Sequence, residues 1–131
     1  MSENTVLAFD FGTQRIGVAV GQDATNTAQA LATVRVKNGR PDWRTLSRII
    51  KEWCPNQFVL GLPTRTDRSP HPMASRIDRF AKRLEGRFGI PVSFVDEHLS
   101  SYVARRDPEA QRLGVDAVAA RVILESWFSE Q

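Results

Sequence analysis

The 131-residue sequence contains one cysteine, Cys54, and no apolar run approaching the ~20 residues needed to cross a bilayer. A single cysteine excludes an internal disulfide and a thiolate metal cage, which fits a reducing compartment. The opening residues have no basic stretch followed by an apolar one, so no secretory signal is expected. These absences predict a cytoplasmic protein that makes no contact with a membrane.

Lysine is also scarce, because 15 of the 18 cationic residues are arginines. The charge is uneven: residues 35–87 hold 13 basic and 5 acidic residues, and the rest of the chain holds 5 basic and 10 acidic residues. Arginine presents a planar set of donors that suits phosphate. A basic middle beside acidic ends indicates polyanion binding next to a carboxylate site, although an ordinary solvated surface also explains it.

No repeat, low-complexity tract or linker divides the chain, so one domain over residues 1–131 is expected. Apolar and alternating segments predict five strands, over residues 5–10, 15–20, 27–36, 57–61 and 91–95. Apolar stripes at helical spacing predict helices from Pro41 to Pro55, over 73–88, in a short segment after Ser100, and over 115–128.

The order of these elements defines the fold class. The first three strands are joined by short connections, which favours an antiparallel meander, and the later strands follow helices, which favours parallel crossovers. The sequence therefore predicts an α/β fold with a five-stranded mixed sheet. Strands 1–3 are antiparallel, strands 4–5 are parallel, and helices cover both faces. In such sheets the chemistry lies at the carboxyl ends of the strands.

Acidic residues stand where this topology brings strand ends together. Asp10 closes the first strand, Asp96 and Glu97 follow the fifth, and Asp116 opens the last helix. Crowded carboxylates repel one another unless divalent cations relieve the repulsion, and oxygen ligands favour Mg²⁺ or Mn²⁺. Two such ions about 4 Å apart can activate water and stabilise the leaving oxygen of a phosphodiester.

Each acid also has a structural explanation. Asp116 is suited to capping the last helix, and Asp10, close to Gly12, is suited to forming a turn. Of the adjacent pair, Asp96 is expected to be the supporting member. The coincidence of three such acids favours one shared site.

Four segments resemble the YqgF/RuvX family. Residues 6–20 (VLAFDFGTQRIGVAV) resemble its opening strands, and residues 59–63 (VLGLP) resemble its central motif. Residues 95–101 (VDEHLSS) are similar to its Asp-Glu-Arg-Leu-Ser-Thr segment, and residues 115–120 (VDAVAA) to its final acidic helix. The matches follow the family's order along the whole chain.

The resemblance implies an RNase H-like fold and a metal-dependent nuclease, described for this family as processing pre-16S rRNA and earlier as a candidate Holliday junction resolvase. It implies that Asp10, Glu97 and Asp116 are the catalytic carboxylates and hold Mg²⁺ or Mn²⁺. Two departures concern substrate binding: His98 replaces the family's usual arginine, and residues 64–68 differ from the family's loop.

Further residues carry groups suited to contact with the substrate. The candidates are Gly12, Thr13, Arg15, Arg65, Arg68, Ser100 and Ser101. Turn formation also explains Gly12, and helix capping also explains the serines. Four arginines recur on one ridge of the second helix and are interpreted as a solvated face: Arg76, Arg79, Arg83 and Arg87.

The leading hypothesis is a two-metal nuclease acting on RNA, with precursor ribosomal RNA as its partner. One alternative keeps the chemistry but takes branched DNA, which requires two opposed sites and hence a dimer. Another is a non-catalytic RNA-binding factor for ribosome assembly. The sequence does not choose between monomer and homodimer.

Overall fold

A six-stranded mixed sheet forms the centre of the computed structural model, which describes residues 4–63, 72–96, 108 and 110–131. The strands are β1 (Thr5–Phe11), β2 (Arg15–Gln22), β3 (Thr27–Lys37), β4 (Arg40–Pro41), β5 (Gln57–Leu62) and β6 (Val92–Asp96). Their order across the sheet is β4-β3-β2-β1-β5-β6. Strands β1 to β4 pair antiparallel, whereas β5 and β6 run parallel to β1.

The predicted count of five strands was wrong, because a sixth strand, β4, follows the turn at Asn38 and Gly39. Both turn residues have positive φ, 52° and 73°, as a two-residue hairpin turn requires. The hairpin then pairs Pro41 with Val36, although Pro41 was expected to open a helix. Proline is tolerated there because β4 is an edge strand.

Four helices complete the described part: α1 (Trp43–Trp53), α2 (Ala74–Phe88), α3 (Ala110–Leu113) and α4 (Val115–Ser129). Asp42 caps α1, since its carboxylate accepts the Thr45 N–H. Helix α2 ends at Gly89, whose left-handed conformation (φ 66°) confirms the predicted stop. The short helix expected after Ser100 falls outside the described residues, and α3 was not predicted. None of the described helices combines the length and apolar character that a membrane crossing requires.

Helices lie on both faces of the sheet, as predicted. Side chains alternate along β1, so Leu7 and Phe9 pack in one core with α1 and α2. Val6 and Ala8 point the other way, into a second core with α4. The first core is rich in aromatic contacts, including the Phe9 ring edge-on to Phe58 at 5.6 Å between centroids.

Small residues on β2 let α4 lie directly on the sheet. Gly17, Ala19 and Gly21 share the face that α4 covers. A Cβ atom at position 21 would lie 2.8 Å from side-chain atoms of Leu124 and Phe128. A Cβ atom at position 17 would overlap the Asp116 carbonyl group. The first turn of α4 is therefore fixed against β2 by backbone contact.

Candidate active site

Asp10 occupies the carboxyl end of β1 and is only 8% exposed. In the part of the chain that the structure describes, it is the one charged side chain that is buried. Alternation along β1 places it on the same face as Val6 and Ala8, toward α4. A carboxylate buried among apolar side chains needs compensation by hydrogen bonds, charge or a metal.

Asp116 lies in the first turn of α4, where the positive end of the helix dipole favours its negative charge. Gly114 (φ 96°) is the residue at the N-cap of this helix, and no side chain makes a capping hydrogen bond there. The interpretation of Asp116 as the helix cap was therefore wrong. Thr33 helps to fix this entry, since its hydroxyl donates to the Leu113 carbonyl at 2.9 Å.

Gly17 brings the two aspartates to one place. It is the direct partner of Asp10 in the antiparallel β1–β2 pair. Residues opposed in this way have Cα atoms about 4.5–5.5 Å apart. The Asp116 backbone in turn rests on the Gly17 Cα, where a side chain would not fit. Asp10 and Asp116, 106 positions apart in sequence, thus converge on one face of the sheet.

Arg15 forms an ion pair with the Asp116 carboxylate, with 2.9 Å between Nε and Oδ2. Their side chains are 59% and 28% exposed, respectively. The pair links the start of β2 to the start of α4 across 101 positions of sequence. Arg15 therefore places a guanidinium at the open side of the carboxylate site, next to solvent.

The turn between β1 and β2, which separates Asp10 from Arg15, is closed by a backbone hydrogen bond. The Gly12 N–H donates to the Arg15 carbonyl at 2.9 Å, so this donor is used within the turn. A Cβ atom at position 12 would lie 2.7 Å from the same carbonyl oxygen, which explains the glycine structurally. Thr13 is exposed at the tip of the turn.

Five predicted site residues fall outside the described residues: Arg65, Arg68, Glu97, Ser100 and Ser101. Asp96 ends β6 opposite Leu62 and is exposed. Within the described ranges, no group of three or more His, Cys, Asp or Glu side chains is placed to hold a metal ion. What these ranges bring together is two carboxylates, which are hard oxygen donors of the kind Mg²⁺ and Mn²⁺ prefer.

Sequence reasoning assigned no role in the site to Gly17. The available signal was a glycine inside an apolar strand, which often marks close approach of another backbone. It also missed the ion pair between Arg15 and Asp116. No local pattern connects residues so far apart in the chain.

Comparison with protein families places the chain among nucleases by sequence. The model of the RuvX family, described as Holliday junction resolvase, matches residues 4–130. A Yersinia pestis protein named "Putative pre-16S rRNA nuclease" is 46% identical over 138 aligned positions. The alignment covers 100% of this chain and 99% of that protein.

Two solved resolvases share the fold. RuvC of Thermus thermophilus, bound to a Holliday junction substrate, superposes with a TM-score of 0.55 at 15% identity, covering 97% of this chain and 94% of RuvC. The fowlpox virus resolvase, bound to Holliday junction DNA, gives a TM-score of 0.57 at 14% identity, with 96% and 97% covered. At this identity the likeness concerns the fold alone, and it agrees with the predicted α/β architecture of a mixed sheet with helices.

Proposed function

The chain belongs to the RuvX family, and on that basis we propose that it is a nuclease that hydrolyses phosphodiester bonds in RNA. Its substrate in this proposal is the precursor of 16S ribosomal RNA, cut during maturation of the 5′ end in the cytoplasm. Residues 1–131 then form a single nuclease domain. The observation that carries the proposal is the convergence of Asp10 and Asp116 across Gly17.

Asp10, Asp116 and Glu97 are the proposed catalytic carboxylates and metal ligands. The first two fit a hard divalent cation, because both are oxygen donors and Asp10 is buried at the sheet edge. Glu97 follows β6 directly in sequence, and the carboxyl ends of β1, β5 and β6 lie at the same edge. A bound Mg²⁺ or Mn²⁺ would lower the pKa of water and offset the negative charge of the phosphodiester.

The other proposed roles concern holding the substrate. Arg15, exposed beside Asp116, is placed to donate to a non-bridging phosphate oxygen. Gly12 shapes the β1–β2 turn, which carries Thr13 at its exposed tip. The Thr13 hydroxyl would donate to the backbone of the nucleic acid. We assign phosphate or sugar contacts also to Ser100 and Ser101, which follow Glu97 closely in sequence. Arg65 and Arg68 receive the same role, because they follow β5, which runs parallel to β1.

The decisive variant is Asp10→Asn, which keeps the shape of the side chain and removes its charge. We expect it to abolish Mg²⁺- or Mn²⁺-dependent cleavage of labelled precursor 16S rRNA while the melting temperature stays within a few degrees of wild type. Asp23→Asn is the matched control, because Asp23 is exposed at the opposite end of the same strand pair. Unchanged cleavage by Asp10→Asn would reject the assignment.

A second candidate is cleavage of branched DNA, favoured by the description of the family and by the fold shared with two resolvases. A four-way junction, assayed beside the precursor RNA with and without Mn²⁺, separates the two activities. Resolution of the junction requires a dimer, so sedimentation as a strict monomer would count against it. Tight RNA binding without turnover on either substrate would instead favour a non-catalytic assembly factor.

A further inference from the structure

A basic cavity of about 570 Å³ lies on the face of the sheet that α2 covers, opposite the face that carries Asp10 and Asp116. It is bordered by α2, by the β1–β2 turn and by the β3–β4 hairpin, and it is open to solvent. Its volume is within the range of small-molecule and cofactor sites. Neither Asp10 nor Asp116 lines this cavity, so their proposed catalytic role does not account for it.

Three arginines of α2 line the cavity: Arg76, Arg79 and Arg83. Spacings of three and four residues put them on one side of the helix. Among the residues that the structure describes, no ion pair neutralises their guanidinium groups, and no acidic side chain lines the cavity. Arg87, the next arginine in the series, stacks instead on the Trp43 ring at 4.1 Å. The three lining arginines thus form an uncompensated positive wall.

The remaining walls supply neutral polar groups and apolar surface. Gln14 from the β1–β2 turn and Asn38 from the hairpin contribute amide groups, which donate and accept hydrogen bonds. Phe11 and Phe80 form an aromatic floor to the cavity, with 4.9 Å between their ring centroids. Cationic donors, amides and aromatic surface in one concavity match the three parts of a nucleotide: phosphate, polar base edge and base face.

The cavity and the proposed catalytic carboxylates lie on opposite faces of the sheet, and the β1–β2 turn joins them. Phe11 follows Asp10 in β1, and alternation sends Asp10 toward α4 and Phe11 toward α2. The turn residues Thr13 and Gln14 line the cavity, and Arg15, one residue further, pairs with Asp116. A nucleic acid strand that crosses the tip of this turn would contact both sites.

We propose that the basic cavity binds an unstacked nucleotide of single-stranded RNA, next to the phosphate that is hydrolysed. The inference rests on the proposed nuclease function for the position of the cut, but the binding itself does not require cleavage. Arg79 and Arg83 contact the backbone phosphates, and the base enters the cavity against Phe11. A single strand is required, because bases within a duplex are stacked and paired and cannot enter.

The test measures binding without cleavage, by fluorescence anisotropy of a short labelled single-stranded RNA in the presence of a chelator. The variants are Arg79→Ala with Arg83→Ala in one chain, and Lys82→Ala as the control. Lys82 is on the same helix but pairs with Asp78 at 3.1 Å and does not line the cavity. All three changed side chains are exposed, so the fold is expected to persist.

We expect the double variant to bind at least about tenfold more weakly at low salt. Each lost phosphate contact lowers the slope of log K against log salt by about 0.7, so the slope should fall by about 1.4. Lys82→Ala should leave the slope unchanged. Wild-type affinity and slope in the double variant would overturn the proposal, as would an equal loss of affinity for a fully paired RNA duplex.

The same variants separate this inference from the proposed function. If both hold, Asp10→Asn binds single-stranded RNA normally but does not cleave it, and the double arginine variant raises KM much more than it lowers kcat. If only the nuclease assignment fails, Asp10→Asn retains cleavage while the arginine variant still loses RNA affinity. If only the cavity assignment fails, Asp10→Asn is inactive and the arginine variant binds and cleaves as wild type does.

Discussion

Gly17→Ala is the smallest change that should separate the two aspartates. The added methyl group would overlap the Asp116 carbonyl and lie 2.7 Å from the Ala117 nitrogen. Non-bonded carbon–oxygen contacts are normally at least about 3.3 Å, so the α4 backbone has to move away from β2 by about 1 Å or more. Neither neighbour is a flexible side-chain end, because both belong to the backbone.

The magnitude follows from the cost of overpacking a close contact, which is typically about 1–3 kcal/mol. A clash with backbone atoms, which cannot rotate away as a side chain can, belongs at the upper end, so we expect a loss of about 3 kcal/mol in the free energy of unfolding. For a domain of this size that lowers the melting temperature by about 10 °C. A domain with ordinary stability of about 5–15 kcal/mol remains folded at 25 °C, so its activity can still be measured.

The assay compares urea unfolding and cleavage in Gly17→Ala and Gly86→Ala. Gly86 lies in α2, and a Cβ atom there would meet nothing within 4 Å. The same chemical change should therefore stabilise the protein at position 86, by about 0.5–1 kcal/mol, because alanine favours helix more than glycine does. Cleavage should fall about 100-fold in Gly17→Ala, since a displacement of about 1 Å at a catalytic group has an effect of that order.

An unfolding free energy in Gly17→Ala equal to or above that of wild type would refute the close backbone contact. A destabilised variant with full activity would leave the contact standing but would refute the claim that it positions Asp116 for catalysis.

Two further predictions concern charged side chains. Arg15→Ala should change the unfolding free energy by less than about 1 kcal/mol, because the Arg15 side chain is mostly exposed. In a calorimetric titration it should tighten Mn²⁺ binding about tenfold, because a nearby positive charge opposes the cation by about 1–2 kcal/mol; unchanged or weaker binding would contradict this. At Asp42, hydrogen bonds first from the Thr45 hydroxyl and then from its N–H lower the carboxyl pKa. The stability it provides is complete above pH about 4 and is lost as the pH falls through the lowered pKa, so the melting temperatures of wild type and Asp42→Asn should converge in acid; a constant gap would contradict this.

Much of the fold could be predicted because local patterns report which side of an element is buried. The strands of the meander pair antiparallel and the later strands pair parallel, as expected. The apolar stripes of α1 and α2, which include Leu46 and Ile77, face the core as expected. The error at Pro41 arose where two local signals competed. Proline suits the first turn of a helix, but the Asn38–Gly39 turn folds the chain back first and draws Pro41 into an edge strand.

The candidate site was predictable only in part, since its residues are brought together by tertiary contacts. The strand ends singled out Asp10, whereas its nearness to Asp116 depends on a helix packing on Gly17. The arginine ridge of α2 was visible from its spacing and was interpreted as a solvated face. The spacing alone does not reveal the turn and hairpin opposite the ridge, which convert that face into one wall of a cavity.

The two aspartates and the basic cavity depend on different packing, so substitutions in the two cores should affect them differently. Asp116 is positioned by backbone contact between α4 and β2. Arg79 and Arg83 are positioned by α2, whose Phe80 and Leu84 side chains pack in the core on the opposite face of the sheet. Loosening the α2 core should therefore weaken RNA binding before it disturbs the carboxylates, and crowding the glycine face of β2 should do the reverse. In the proposed complex, a strand of RNA held at both sites would cross the β1–β2 turn, so the geometry of that turn would set which phosphate meets the carboxylates.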